Sequence, residues 1–206
     1  MPILVILSTA VALHYNFDFL AAFPAWVLLG VAMYLYRDPT RKVPASPLAI
    51  IAPIDSTVVA VEKIADPYVN NRDSVRIRLH SHMTGVFTVR SPMEGKITNQ
   101  WFNAYPQKKD ASGTIEKGSK DAPYPFAQWT TSDEGDDVVF TLRPRLPVVK
   151  PRCLASCGER IGQGQRCSFI PFGANVDVYV PANSKIEVKV RDTVNSGSSI
   201  IAVLVR

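Results

Sequence analysis

The sequence predicts a mainly β protein, a sandwich of short strands carried behind an apolar N-terminal segment. Three observations lead there. Sixteen prolines among 206 residues argue against a helical bundle, because each removes a backbone donor and fixes φ. From residue 48 onward apolar residues recur at every second position, the period of a half-buried strand. Residues 1–36 contain no lysine or arginine and differ in composition from everything that follows.

The apolar segment comes first. "PILVILSTAVAL" (2–13) is uncharged, "HYNFD" (14–18) interrupts it, and "FLAAFPAWVLLGVAMYLY" (19–36) is uncharged again for 18 residues. A spanning helix needs roughly 20 apolar residues, with about 17 the lower limit. Residues 1–36 are therefore expected to form a membrane anchor, a hydrophobic helix or a hairpin. Pro24 fits a helix start or a kink, and Trp26, Tyr34 and Tyr36 suit interfacial positions. A cleaved signal peptide would want a basic start, and the first basic residue is Arg37. "RDPTRK" then brings Arg37, Arg41 and Lys42. Positive charge beside a span marks the cytoplasmic side. The body, residues 37–206, is thus expected on the cytoplasmic face of the cell (inner) membrane.

In the body, "LAIIAPIDSTVVAVEKI" (48–64) reads as two strands around a turn at Pro53–Ser56. "SVRIRLH" (74–80) alternates, with Val75, Ile77 and Leu79 inward and Arg76, Arg78 and His80 outward. "VFTVRSPMEGKITNQWF" (86–102) repeats the strand, proline turn and strand of 48–64. Residues 103–135 are polar and read as a loop or flap. "DDVVFTLRP" (136–144) is another strand. "RCSFIPFGANVDVYVP" (166–181) runs through a glycine turn into a strand with Val176, Val178 and Val180 on one face and Asp177 and Tyr179 on the other. "VNSGSSIIAVL" (194–204) is a second glycine turn leading into a strand.

Charge and cysteines exclude some classes. A net charge of +5 suits an anionic membrane surface or acidic ligand, and no nucleic-acid motif is present. Three cysteines, Cys153, Cys157 and Cys167, form no disulfide framework. No histidine lies near them to complete a zinc site, so no metal is expected.

The segments "IIAPIDSTVVAV" (50–61) and "TVRSPMEGKITN" (88–99) resemble each other and the hairpins of biotinyl and lipoyl carrier domains. That resemblance implies a flattened barrel-sandwich with pseudo-twofold hairpins. A carrier would also present a lysine inside Met-Lys-Met at a hairpin tip, and that triplet is absent.

Taken in order, "YRDPTRKVP", "IIAPIDSTV", "VRSPMEGKI", "GERIGQGQRCSFIPFGANVDVYVP" and "VNSGSSIIAVL" resemble the phosphatidylserine decarboxylase family, in its short, membrane-associated, archaetidylserine-type form. The resemblance covers nearly all the chain from residue 20. It implies a pyruvoyl enzyme. In the family a serine follows a glycine, attacks that glycine's carbonyl and converts the amide to an ester; elimination then cuts the chain and leaves a pyruvoyl group, an electron sink for decarboxylation. An aspartate and a histidine assist as acid–base groups.

Matched residue by residue, Gly173 precedes the cleavage point and Ala174 takes the position of the pyruvoyl-forming serine. Phe87 takes the position of the histidine, and Gly85 that of an aspartate before it. Asp55 retains the other acid position. Arg90, Ser91 and Pro92 agree with the family; Arg90, with Arg37, Arg41 and Lys42, is assigned to anionic headgroups. The basic stretch 143–152, with Arg143, Arg145, Lys150 and Arg152, is either a further headgroup contact or a solvated face.

The expected reading is a membrane-bound relative of the decarboxylases that lacks the pyruvoyl group and any other cofactor. Its partners are then anionic or amino phospholipids, another copy of itself, or an active paralogue. Two alternatives stay open at this level. One is an active decarboxylase using His80 or His82 and the Gly197–Ser198 pair; the other is a tethered biotinyl-like carrier or adaptor.

Overall fold

A computed structural model describes residues 2–16, 19–83, 85–102, 126–146 and 148–205. The chain divides into two compact units, Met1–Pro39 and Thr40–Arg206.

The first unit is a pair of helices, α1 (Pro2–Asn16) and α2 (Phe19–Leu35). The uncharged stretches make helix the one way to satisfy the backbone without polar side chains. The Asn16 amide donates to the Ala12 carbonyl at 2.8 Å and closes the last turn of α1. His14 and Trp26 meet edge to face at 6.4 Å, holding the two helices against each other. Their lengths correct the expected spanning anchor. At about 1.5 Å per residue, 15 and 17 residues fall short of a hydrocarbon core of about 30 Å. Among the described residues no helix is long and apolar enough to cross a membrane.

The second unit is mainly β, as the period-two pattern predicts. Its strands are β1 (Ala49–Ile51), β2 (Ser56–Ala65), β3 (Asp73–Ser81), β4 (Thr88–Arg90), β5 (Gly95–Phe102), β6 (Phe126–Thr131) and β7 (Asp137–Pro144). There follow β8 (Arg152–Cys153), β9 (Arg160–Ile161), β10 (Arg166–Phe169), β11 (Ala174–Pro181), β12 (Lys185–Ile186), β13 (Thr193–Val194) and β14 (Ile200–Val203). One curled sheet has the order β13-β2-β3-β11-β7-β6-β5-β9, and two three-stranded sheets run β1-β14-β12 and β4-β10-β8. The central ladder, β2-β3-β11-β7, is antiparallel throughout.

The sequence echo has a physical counterpart. The Ile51 N–H donates to the Pro92 carbonyl and the Arg90 N–H donates to the Pro53 carbonyl, both at 2.9 Å. Ala52 exchanges hydrogen bonds with the Gly197–Ser199 turn, as Ser91 does with the Gly164–Gln165 turn. Gly197 and Gly164 both adopt positive φ, at 75° and 73°. The two proline turns thus bond reciprocally, and each is backed by a glycine turn.

The alternating residues form one core. Val75, Ile77, Leu79, Val176, Val178 and Val180 all point into it. The expected loop over 103–135 holds in part only: residues 103–125 lie outside the described residues, while Phe126–Thr131 is strand β6. This strand hides from a hydrophobicity pattern because two of its inward residues are polar. Gln128 and Thr130 are fully buried; Gln128 accepts from the Gln100 amide at 3.1 Å, which satisfies it in place of water.

Candidate functional site

The site is built around the turn that joins β10 to β11. Phe172 and Gly173 are both left-handed there, with φ of 64° and 81°. Glycine adopts this conformation freely, whereas a residue with a side chain is strained by roughly 1–2 kcal/mol. The Gly173 carbonyl accepts from the Arg145 N–H at 3.2 Å. Ala174 opens β11 opposite Pro144 and is 2% exposed. Its side chain is a methyl group with no nucleophile.

The end of β3 packs directly on this turn. A Cβ on Gly173 would sit 3.0 Å from the His82 carbonyl oxygen and 3.4 Å from that of Ser81. The same segment touches Gly85, where a Cβ would lie 3.2 Å from the His82 oxygen, 3.6 Å from Ser81 Oγ and 3.9 Å from Asp55 Cβ. Asp55, Gly85, Gly173 and Ala174 therefore gather around residues 81–82, although they are far apart in sequence.

Phe87 joins the same corner as packing. It is 1% exposed, and its carbonyl accepts from the Ile170 N–H at 2.8 Å. Its ring meets Phe169 edge to face at 6.0 Å and Phe172 at 5.6 Å. Three aromatic rings fill this side of the turn.

Asp55 has its charge already matched. One carboxylate oxygen accepts from the Arg41 guanidinium at 2.7 Å. The other accepts from the Ser196 N–H at 2.7 Å. Arg41, assigned from sequence to lipid headgroups, thus spends its guanidinium on an internal partner. Fourteen residues separate the pair, and nothing in the local pattern signals it. Arg90 is likewise turned inward: it donates to the Gly164 carbonyl at 3.0 Å and packs so closely that a Cβ on Gly197 would fall 2.6 Å from its Cδ. Arg37 lies over the Tyr34 ring at 3.9 Å, and Lys42 is exposed.

The two histidines near Phe87 part company. His82 is exposed beside the turn. His80 faces the opposite side of the sheet, its Nδ1 2.6 Å from Asn175 Oδ1. The Gly197–Ser198 pair forms a separate turn, in which Ser198 Oγ donates to the Asn195 carbonyl at 3.5 Å.

Cys167 is fully buried in the core, and burial drives its thiol far above the ordinary range; Cys153 is pushed up by burial as well. Neither is poised as a nucleophile. Among the described residues no group of three or more His, Cys, Asp or Glu side chains is placed to hold a metal ion.

Comparison with known proteins gives a consistent answer. Residues 28–202 match the phosphatidylserine decarboxylase family. A phosphatidylserine decarboxylase proenzyme of Aromatoleum aromaticum is 32% identical over 202 residues, covering 98% of this chain and 92% of the relative. Proteins described in the same words from Nitrosomonas europaea and Burkholderia multivorans are 34% and 33% identical over 195 residues each, 95% of this chain and 88% and 89% of theirs. No solved structure matches the chain.

Proposed function

This chain belongs to the phosphatidylserine decarboxylase family, and from that membership we propose a membrane-associated protein of phospholipid metabolism that forms no pyruvoyl group and is silent as a decarboxylase. The observation that carries the proposal is the buried methyl group of Ala174 after the left-handed Gly173. An ester can arise from the Gly173 carbonyl only if the next residue supplies a hydroxyl. The residues present do not fit a self-made pyruvoyl group.

Two further features support this reading. Phe87 packs on Phe169 and Phe172, so the corner has hydrocarbon where acid–base chemistry needs a titratable group. Asp55 is neutralised by Arg41. What remains is a family body able to recognise aminophospholipid, or to regulate an active decarboxylase by assembling with it. The paired proline turns support a barrel-sandwich of two like hairpins.

Membrane attachment in this proposal comes from the helical pair entering one leaflet without crossing. Leu4, Val5, Leu20, Phe23, Leu28 and Met33 are all more than half exposed on α1 and α2. So many bare apolar side chains on one short unit are matched by lipid rather than water. The basic residues Arg37 and Lys42, next to the helices in sequence, support a body on the cytoplasmic face.

A gain-of-processing experiment tests the assignment of roles. Ala174→Ser alone is expected to stay uncut, since it supplies a nucleophile without a proton acceptor. Ala174→Ser with Phe87→His is expected to recover partial cutting at 173–174, read on a denaturing gel. An uncut double variant of native circular dichroism would contradict the positions given to these two residues. The Ser196 N–H on Asp55 brings the Gly197–Ser198 turn to the one retained acid, the observation favouring displaced chemistry. Cutting there would remove the last nine residues, a loss that mass spectrometry separates from cleavage at 173–174.

A further inference from the structure

The outward face of the central sheet carries a second feature. The register aligns His80, Asn175 and Arg143 across β3, β11 and β7, and beside them Arg78, Asp177 and Thr141. Arg76 and Tyr179 form the next row. Together these residues line a cleft of about 380 Å³. That is the lower end of the range for small-molecule sites, roughly 300–1,000 Å³.

The cleft is rich in donors that its own acceptors do not use up. Arg76 is held by Glu62, whose carboxyl that guanidinium keeps below its ordinary range. Even so, Arg76 Nε is buried with no hydrogen-bond partner among the described residues. Arg78 reaches Asp177 at 3.4 Å and Glu62 at 3.9 Å, separations that leave its planar fork largely open. The Arg143 side chain is exposed and makes no hydrogen bond or ion pair among the described residues. With His80 Nδ1–H donating to Asn175 Oδ1, the Asn175 amide is left with its N–H donors.

We propose that this cleft binds a phosphate group, with Arg143 and Arg78 as the principal forks and the Asn175 amide and Arg76 as further donors. Three guanidiniums against two carboxylates, Glu62 and Asp177, leave a net positive site. A tetrahedral dianion offers acceptors in several directions to several forks, which a carboxylate or chloride does not. The apolar corner at Ala174 faces the other way from the same strand. Phosphate binding therefore does not depend on whether the chain is cut, and its success or failure is separate from that of the silent-decarboxylase reading.

The phosphate has two chemical sources, a phospholipid headgroup or a soluble phosphate ester. The test uses the full chain in a detergent free of phosphate. Inorganic phosphate titrated calorimetrically, against chloride of matched ionic strength, is expected to bind saturably. Arg143→Gln is expected to weaken that binding about tenfold, the loss of one charge-assisted contact. Flotation with phosphatidylcholine vesicles, with and without phosphatidic acid, separates the sources. Enrichment on phosphatidic acid that free phosphate and Arg143→Gln both abolish assigns the cleft to a headgroup; equal flotation alongside saturable phosphate binding assigns it to a soluble ester. No saturation above the chloride control, or equal affinity in a folded Arg143→Gln variant, overturns the proposal.

Discussion

Ala174 and Asn175 are neighbours on one strand, and the pleat sends them to opposite faces of the sheet. Inward of Ala174 the left-handed turn is closed by Phe87, Phe169 and Phe172, and the side chain that follows Gly173 is a methyl group. Outward of Asn175 lies an open, polar surface with three arginines, of which Arg143 has no ion pair among the described residues. The comparison teaches that the shape of a turn and the chemistry it could host rest on different residues. The left-handed turn depends on glycine and on contacts to β3, whereas in the proposed reading the reaction needs both a hydroxyl at 174 and a proton acceptor at 87.

Substitutions on the two faces should differ in kind, beginning with the largest effect. Phe87→Ala removes a ring from the inner corner and is expected to lower unfolding free energy by about 3–5 kcal/mol, measured by urea denaturation. A loss below about 1 kcal/mol would mean that the corner is a loose site and not core. Gly173→Ala forces a side chain into φ 81° with its Cβ 3.0 Å from the His82 oxygen. The expected cost is about 2 kcal/mol, and a neutral result would show that the turn adopts another conformation.

The outer face gives smaller effects, the larger of them at its covered end. There residues 66–72 fold over Val139 and Tyr179, and Asp66 is fully buried. Burial raises its carboxyl above the ordinary 3.8, partly offset by the Tyr68 N–H and Arg72. A carboxyl with a raised value binds its proton more tightly in the folded state. Its contribution to stability is therefore greatest at low pH and declines as pH rises from 3.8 through the folded value. Asp66→Asn should remove that decline, so wild-type stability relative to the variant falls across this window and then levels off; a difference that grows with pH contradicts the burial argument. At the open end, Arg143→Gln should change stability by no more than about 0.5 kcal/mol. A larger loss would assign Arg143 a structural partner.

Much of this was legible in the sequence, and the exceptions have physical reasons. Alternation at 74–80 and 174–181 gave the right inward faces because those residues are aliphatic. The repeated proline turns of the sequence fold alike, and the structure adds that they bond reciprocally. Strand β6 escaped because Gln128 and Thr130 are buried polar residues paired with one another and with Gln100. In the first unit the sequence "HYNFD" (14–18) interrupts the apolar run, and the helices of 15 and 17 residues are each too short to span. The Arg41–Asp55 pair and the outer cleft escaped because both are products of tertiary register. His80 and Asn175 are 95 residues apart, and only the β3–β11 ladder brings them together.

The central claim concerns the covalent state of the unaltered chain, and intact mass spectrometry of the purified protein reads it directly. The account predicts one unbroken polypeptide of 22.7 kDa that does not react with a carbonyl-directed hydrazide. Two fragments, the smaller carrying a hydrazide-reactive α-keto terminus, would contradict it.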